Sequence, residues 1–498
     1  MSADVRDADN GTALSPDAIL QMQMTRHILI LALLIAAGAW LVHPTIKPGP
    51  FTYDESDYMY AARFSPLAHW MDLGSMPIGE FVKIGLTRGR DPRDSQALSE
   101  MARAADDPNV YRHTHGPVLW YWLCFLRQFT VNEYLLRCWS LVFPLLTLLM
   151  IYFGSLRVLP AESRQTGALL ASVLFALSPI TLEATDIATH PVFVLFYVAA
   201  LLLAAKVMTG GGRRDWYAAV IAAGAAFCSL EVAFVLIAAL AVCAWRRRAE
   251  LRVDGRFILT STATFVATVL ALWPAGLLKL DFAKAYLIEA YLALFRHNAW
   301  GQEGLASLWA GRLASSPVEW LLIATGLVVF IFRRKSAEGR ASEVFVWFGL
   351  LMFVVMLRVN GYGSRYVSPY SAALDVSAGW MIAGALTQLG VIARYALLVV
   401  LVSGLAVSSA RVLARVRPVD DPGFRETIAS IHAAGLDHAS LLVPQLALPA
   451  FHYYLPEAQV HGYLAMPSPE MAARTHAVAI VVQKGDAVEI QRVTPPGP

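Results

Sequence analysis

The chain has 498 residues, of which 57% are hydrophobic and 15% charged, and its formal net charge is +3. Soluble domains carry about 25% charged residues, so this deficit indicates an integral membrane protein. The small net charge gives no indication of a nucleic-acid partner. The four cysteines have neither CxxC spacing nor a secreted-domain pattern, so we interpret them as small apolar side chains.

Apolar stretches suited to crossing a bilayer recur along most of the chain. A transmembrane helix needs about 20 mostly apolar residues. The first stretch is 28–42, and because residues 1–24 lack the basic start of a secretory signal, we expect this helix to be retained. The later stretches cover 136–157, 166–183, 191–208, 216–246 as two short helices, 256–278, 317–333, 342–358, 372–390 and 394–411. Together they predict about eleven transmembrane helices.

Basic residues in short connections orient this predicted bundle. The positive-inside rule assigns to the cytoplasm the clusters Arg213–Arg214, Arg246–Arg248, Arg333–Lys335 and Arg394. We therefore expect a cytoplasmic tail over 1–27 and a transmembrane module over 28–412, with a long external loop over 44–134. Residues 116–130 are too short to cross comfortably, and their Trp and Tyr side chains favour the outer interface. Residues 413–498 would form an extracytoplasmic domain.

The last stretch changes character after about residue 418. Asp421 and Pro422 are typical of a helix start, and we expect this helix to end near Gly435. Four strand-like runs follow, namely ASLLV, AQVHG, AVAIVV and AVEIQ. The sequence thus predicts an all-α polytopic membrane protein with a small C-terminal α/β domain.

Groups of polar residues lie where the predicted helices meet the outer surface. The first group contains Asp54, Glu55 and Tyr58 and ends at Arg63. Adjacent carboxylates at a low-dielectric boundary keep their charge only with a partner or a use. A solvated loop followed by an amphipathic interfacial helix is the alternative interpretation.

Two more groups combine histidines and carboxylates. His113 and His115 are two residues apart, but no third metal ligand is identifiable, so polar residues at a helix start are the simpler interpretation. Glu183 and Asp186, near His190, lie at the outer end of a predicted helix. Carboxylates at that depth are costly unless they are paired or functional, although a short, wet connection would also accommodate them.

The fourth group is an external loop that contains Arg365 and Tyr366. A lone Arg there departs from the positive-inside pattern, and either a bound phosphate or a salt bridge would explain it. Acids and a cation on one face are what group transfer from a lipid-linked phosphate requires. A carboxylate takes the proton of the acceptor hydroxyl, and an Arg stabilises the departing phosphate.

The order of these motifs resembles the GT-C glycosyltransferases related to protein O-mannosyltransferases and to the aminoarabinose transferase of lipid A. Asp54 to Arg63 follows the family's D-E-x-x-Y-x-x-x-A-R opening, and His115 to Tyr121 resembles its H-P-P-L-Y-Y segment with Gly116 in place of the first Pro. The later motifs are similar through Arg137, then Ser178-Pro179 with Glu183 and Asp186, and finally Arg365-Tyr366 with Pro369.

The resemblance implies an inverting hexosyl- or pentosyltransferase of the cell inner (plasma) membrane. It would move a sugar from a polyprenyl-phosphate carrier to a glycan, lipid or protein acceptor at the outer face. Asp54, beside Glu55, would be the base, and Asp186 or Glu183 the supporting acid. Arg365 would hold the carrier phosphate, and the further substrate contacts would be Tyr366, Arg63, Tyr58, His113 and His115. Metal use varies in the family; we expect no metal, with a divalent cation as the alternative.

A transporter or flippase of a lipid-linked glycan is the competing hypothesis. Such proteins place charged residues near the membrane midplane. Here Glu231 is the only clear interior candidate in the sequence, and we place it at a helix end, which favours the enzyme. Membrane hydrolases are not supported, since the chain contains neither G-x-S-x-G nor H-E-x-x-H.

Overall fold

In a computed structural model of the chain, a bundle of helices is followed by a small sheet. The described residues are 16–51, 53–71, 77–79, 82–83, 115–183, 186–284, 286–287, 316–359, 364–415, 422–444, 447–463, 466–484 and 487–493.

The helices of the first half run from residue 16 to residue 246. They are α1 (Pro16–Val42), α2 (Tyr53–Ala61), α3 (Pro66–Met71), α4 (Val118–Leu126), α5 (Glu133–Ser140), α6 (Val142–Val158), α7 (Ala161–Ala176), α8 (Pro179–Glu183), α9 (Thr189–Met208), α10 (Arg213–Phe227) and α11 (Phe234–Arg246).

The helices of the second half precede the first strand of the sheet or lie between its strands in the sequence. They are α12 (Arg248–Leu251), α13 (Gly255–Leu272), α14 (Pro274–Leu278), α15 (Pro317–Arg333), α16 (Ala337–Val359), α17 (Ser364–Leu386), α18 (Val391–Leu413), α19 (Pro422–Ala433), α20 (Leu448–Tyr454) and α21 (Pro469–Arg474).

Local sequence signals explain where several helices begin. Asn132 and Asp254 precede α5 and α13, and each side chain accepts a hydrogen bond from the backbone N–H three residues later, at 3.0 and 2.6 Å. Proline opens α14 and α15, where its missing N–H costs no hydrogen bond.

The chain is a multi-pass membrane protein. Six apolar segments of the described residues are long enough to cross a membrane: His27–Thr45, Glu133–Val158, Thr189–Met208, Gly255–Leu272, Ala337–Met356 and Val391–Leu413. Helices α7, α10, α11, α15 and α17 are shorter or more polar and pack among them. The total of about eleven spans remains a prediction.

Small residues let the central helices approach closely. A Cβ atom on Gly379 of α17 would lie 2.4 Å from the backbone nitrogen of Ala171 in α7. A Cβ atom on Gly326 of α15 would lie 2.4 Å from the Cα atom of Ala378 in α17. Because lipid tails are as apolar as Leu, such backbone contact is a main source of helix association in membranes. Helix α17 is thus held between α7 and α15.

The start of α17 differs from the prediction. The helix begins at Ser364 rather than near residue 372, so Arg365 lies in its first turn and not in a loop. The glycines before it and Pro369 favour a loop, because the residue before a proline is disfavoured in helices. Burial of Val367 and Tyr370 in the bundle offsets that preference.

Two ambiguous apolar stretches have the expected form. Residues 216–246 form α10 and α11, separated by a short 3₁₀ turn over Glu231–Ala233. Within 116–130, the helix α4 has 9 residues, which at about 1.5 Å each is too short to cross a bilayer. Its Trp120 and Leu123 are buried together with Met59 of α2.

Residues 422–493, called here the C-terminal unit, contain a four-stranded sheet of order β2-β1-β3-β4. The strands are β1 (Ser440–Pro444), β2 (Gln459–Tyr463), β3 (Ala479–Lys484) and β4 (Ala487–Arg492), at the four predicted runs. Strand β1 is parallel to β2 and β3, and β4 is antiparallel to β3. Gly435 ends α19 in the left-handed region, at φ +67°, as glycine does after many helices.

Candidate active site at one end of the helix bundle

A fully buried ion pair between Arg137 of α5 and Glu55 of α2 lies at the centre of the site. Arg137 Nε and Nη2 donate to the two carboxylate oxygens of Glu55 at 2.8 and 2.7 Å. The remaining N–H groups of Arg137 donate to the backbone carbonyls of Lys47, Gly49 and Pro50 at 2.7–2.9 Å. All five donors of the guanidinium are therefore satisfied, and α2 is fixed against the segment that follows α1.

The second acidic motif, which consists of Glu183 and Asp186, contacts the same segment after α1. Lys47 Nζ lies 2.9 Å from Asp186 Oδ1, and the two side chains are 26% and 32% exposed. The backbone N–H of Ile187 donates to Glu55 Oε1 at 3.0 Å. Asp186 and Glu55 are thus brought together although 131 positions separate them in the sequence (186 − 55).

Asp54 and Glu183 flank these contacts. Asp54 lies in the first turn of α2, directly before Glu55. Glu183 is the last residue of α8, three positions before Asp186. The side chains of both residues lie outside the described part of the structure, and so does the whole of His113.

The segment from His115 to Tyr121, which resembles the family's H-P-P-L-Y-Y motif, packs beside α2. The ring of Tyr58 lies 6.1 Å from that of His115 and 5.9 Å from that of Trp120. A Cβ atom on Gly116 would lie 2.0 Å from the carbonyl oxygen of Cys228, so only glycine fits there. This close approach explains why glycine replaces the proline of the resembled motif.

The motif that contains Arg365 and Tyr366 lies at the same end of the bundle, in the first turn of α17. Ser368, one turn after Arg365 in α17, lines a small cavity together with Thr181 and Pro191. These two residues bracket Glu183 and Asp186. The backbone of Arg365 and Tyr366 is therefore near the second acidic motif, while their side chains lie outside the description.

The C-terminal unit rests on α2 and on the segment before it. Arg63 donates to the backbone carbonyl of Tyr453 and lies over the rings of Tyr60 and Tyr453, at 5.6 and 5.1 Å. Burial, with the positive charge of Arg127, lowers the pKa of Arg63. Arg63 thus contacts the C-terminal unit, whereas the sequence predicts a substrate contact.

A tyrosine of the C-terminal unit connects it to the Arg137 region. The backbone N–H of Phe51 donates to the Tyr454 hydroxyl at 3.0 Å, and that hydroxyl donates to Glu133 Oε1 at 2.9 Å. Arg425 Nη2 lies 3.8 Å from the same Glu133 oxygen and donates to the carbonyl of Pro48 at 3.3 Å.

Solved structures with the same architecture were found. The oligosaccharyltransferase AglB from Archaeoglobus fulgidus, in complex with an inhibitory peptide and a dolichol-phosphate, has a TM-score of 0.52 at 11% identity; the match covers 92% of this chain and 69% of that one. An oligosaccharyltransferase from the same organism, tethered to an acceptor peptide, gives 0.53, with equal identity and coverage. ArnT from Cupriavidus metallidurans in the apo state gives 0.51 at 14% identity, covering 87% and 85%. The chain has the GT-C fold.

Among the comparisons with known proteins, only those with solved structures gave matches. No protein-family model matches the chain. No curated protein sequence matches it either. Identities of 11–14% leave the residue roles to be argued from this chain's own contacts.

A second pair of carboxyl groups lies inside the GT-C bundle. Glu319 of α15 and Asp375 of α17 are both fully buried. The Ser178 hydroxyl donates to Glu319 Oε1 at 2.7 Å, whereas neither carboxylate oxygen of Asp375 has a hydrogen-bond partner among the described residues. These residues correct the prediction that Glu231 is the only clear interior candidate.

Sequence reasoning assigned no site role to Lys47, Glu133, Arg137 or Tyr454. An Arg inside an apolar stretch is a usable signal, since a charge at such depth needs a partner. Nothing in the sequence identifies the partners. Within the described residues, no group of three or more His, Cys, Asp or Glu side chains is arranged to hold a metal ion.

Proposed function

We propose that this GT-C chain transfers a sugar from a polyprenyl-phosphate carrier to an acceptor at the outer face of the membrane, with inversion at the anomeric carbon. The observation that carries the proposal is the meeting of the two acidic motifs, through Glu55 with Arg137 and Asp186 with Lys47, at one end of the bundle. The dolichol-phosphate held by AglB is consistent with a donor of this chemical class.

The proposed reaction is a single displacement with Asp54 as the base. Its carboxylate accepts the proton of the acceptor hydroxyl while the hydroxyl oxygen attacks the anomeric carbon. The new carbon–oxygen bond forms on the face opposite the phosphate as the old one breaks. The bonding electrons leave with the polyprenyl phosphate, and Arg365 stabilises the resulting charge.

Glu55 is assigned a positioning role in this proposal. Its Oε1 accepts from Arg137 Nε and from the Ile187 N–H, and its Oε2 accepts from Arg137 Nη2. A carboxylate engaged in this way is a poor proton acceptor, because taking up a proton would break the ion pair. Glu55 instead fixes the helix turn that carries Asp54.

The remaining groups contribute charge and shape. Asp186, with Glu183 as the alternative, is the supporting acid, and Lys47 holds its carboxylate. Tyr58 and His115 would line the substrate side of α2, together with Tyr366 of α17. We place the protein in the cell inner membrane, with residues 1–27 cytoplasmic, the transferase module over 28–412 and residues 413–498 extracytoplasmic.

The test uses the full chain purified in detergent and a panel of polyprenyl-phosphate hexoses and pentoses. We expect one donor to be consumed, and Asp54→Asn to slow transfer by roughly 10²–10⁴-fold. Asp215→Asn is the matched control, because Asp215 pairs with Lys206 in a separate ion pair. Normal turnover by Asp54→Asn would refute its role. Folded wild-type protein that consumes no donor would refute the proposal.

Transport of a lipid-linked glycan is the second candidate, and the Glu319–Asp375 pair favours it. Buried ionisable residues inside a membrane often mark a transport pathway. Movement of a labelled lipid-linked glycan across proteoliposomes, with its covalent structure unchanged and with loss in Asp375→Asn, would support transport over transfer.

A further inference from the structure

A groove between α15 and α18 has no role in the proposed reaction. It encloses about 590 Å³, within the range of ligand sites in proteins, and is lined by Pro317 and Val318 of α15 and by one flank of α18. The α18 wall includes Gly404 and Val407, which are exposed. A Cβ atom on Gly404 would meet no atom within 4 Å, so the groove is open at that position.

Two arginines line one end of this groove. Arg411 and Arg415 are one turn apart at the end of α18, and both are exposed. Across the described ranges, no carboxylate pairs with either side chain, and Ser408 lies beside them on the same wall. Cations at the C-terminal end of a helix complement its dipole, and this accounts for their sign. It does not account for both of them lining one groove.

The groove runs from these arginines into the apolar part of α18. Gly404 lies seven residues before Arg411, or about 10 Å along the helix axis. An ion at the arginines and a hydrocarbon chain along Val407 and Gly404 would thus be accommodated together. That combination is the chemistry of a lipid with a phosphate head.

The groove lies at the same end of the bundle as the acidic motifs but on a different face of α18. The inward face of α18 carries Leu405, Ser409 and Leu413, and the Ser409 hydroxyl donates to the carbonyl of Leu177, close to α8. The groove residues occupy the neighbouring flank. A phosphate at Arg411 would therefore be separated from Asp186 by α18 itself, which argues against the sugar donor as the occupant.

We propose that this groove binds an anionic phospholipid, with the phosphate at Arg411 and Arg415 and an acyl chain along Val407 and Gly404. Bilayer lipid would then be held against α15 and α18, next to the elements that carry Glu319 and the second acidic motif. The proposal is independent of the transfer reaction, because it concerns a site that the reaction does not use.

The test is lipid binding to the purified full chain by native mass spectrometry, with phosphatidylglycerol and phosphatidylcholine as probes. We expect tighter binding of phosphatidylglycerol. Removing both charges in Arg411→Gln with Arg415→Gln should weaken it roughly 25-fold, at about a fivefold loss per basic residue. Lysine at both positions should restore most of the affinity.

Two further variants separate the groove from general surface charge. Arg334→Gln removes an exposed charge at the end of α15 far from Pro317 and should leave binding unchanged. Gly404→Phe fills the groove without changing charge and should weaken binding of both lipids.

Three results would overturn the proposal. Equal affinity for the two lipids would show that the arginines do not select a charge, and an unchanged affinity in the double Gln variant would show that they do not bind the head group. Displacement of phosphatidylglycerol by undecaprenyl phosphate at lower concentration would make the carrier lipid the occupant.

Discussion

Replacing Glu55 by Gln tests whether this residue positions the site or performs chemistry. Both side chains of the Glu55–Arg137 pair are 0% exposed, so water cannot replace a lost contact. Gln keeps an oxygen that can occupy the place of Oε1, but its amide then points N–H groups at Arg137 Nη2, which is also a donor. Removing one partner of a buried ion pair costs about 3–5 kcal/mol.

We therefore expect Glu55→Gln and Arg137→Gln each to destabilise the protein by about 3–5 kcal/mol, measured as thermal unfolding in detergent. Arg137→Lys should also destabilise, because an ammonium group cannot reproduce the fork that contacts Glu55 and three carbonyls. Glu162→Gln is the control, since Glu162 is exposed in the first turn of α7.

Activity per folded molecule then distinguishes the two roles. If Glu55 only positions the site, its variants should lose activity in proportion to the fraction of protein that is unfolded or has the site displaced. If Glu55→Gln melts at the wild-type temperature and yet has no activity, the positioning argument is refuted and Glu55 acts on the substrate directly.

Three further predictions concern the C-terminal unit and the bundle interior. Tyr454→Phe removes the hydroxyl that donates to Glu133, and a loss of about 1 kcal/mol should make the C-terminal unit easier to cleave by protease. Burial lowers the pKa of His452, so the unfolded chain binds more protons as the pH falls below about 6.5, and the unit should be stable above that pH and weaken below it. Both carboxylate oxygens of Asp375 are buried without a hydrogen-bond partner among the described residues, so Asp375→Leu should not destabilise the protein, whereas Asp375→Asn keeps a buried polar group and should melt at a lower temperature than the Leu variant.

Protease titration measures the first two effects, and thermal unfolding in detergent measures the third. Tyr463→Phe is the control for the first, since that hydroxyl donates to Val481 within the sheet. Wild-type resistance of Tyr454→Phe would contradict the proposed anchoring. Full pH dependence in His452→Gln would exclude this histidine as its source, and a lower melting temperature of the Leu variant than of the Asn variant would show that Asp375 has a stabilising partner.

Local sequence was sufficient for the type and order of most elements. Apolar runs, basic connections and the proline and glycine around α19 are properties of neighbouring residues, and they predicted the membrane bundle and the four strands of the C-terminal unit. The start of α17 was one exception, because burial of Val367 and Tyr370 outweighs the local preference for a loop. The predicted spans 166–183 and 256–278 were two others, since each is divided between two helices. The order of motifs also predicted the GT-C fold, which the solved structures confirm.

Only the tertiary structure decided which charged groups meet. Glu55 and Arg137 are 82 residues apart, and Tyr454 and Glu133 are 321 apart. Nothing local distinguishes Glu55, whose oxygens are engaged by Arg137, from Asp54 beside it. Likewise, Glu319 looks like an ordinary residue of a helix start until α17 brings Asp375 against it. Ion pairing in a low-dielectric interior depends on three-dimensional proximity, and that is set by helix packing rather than by sequence spacing.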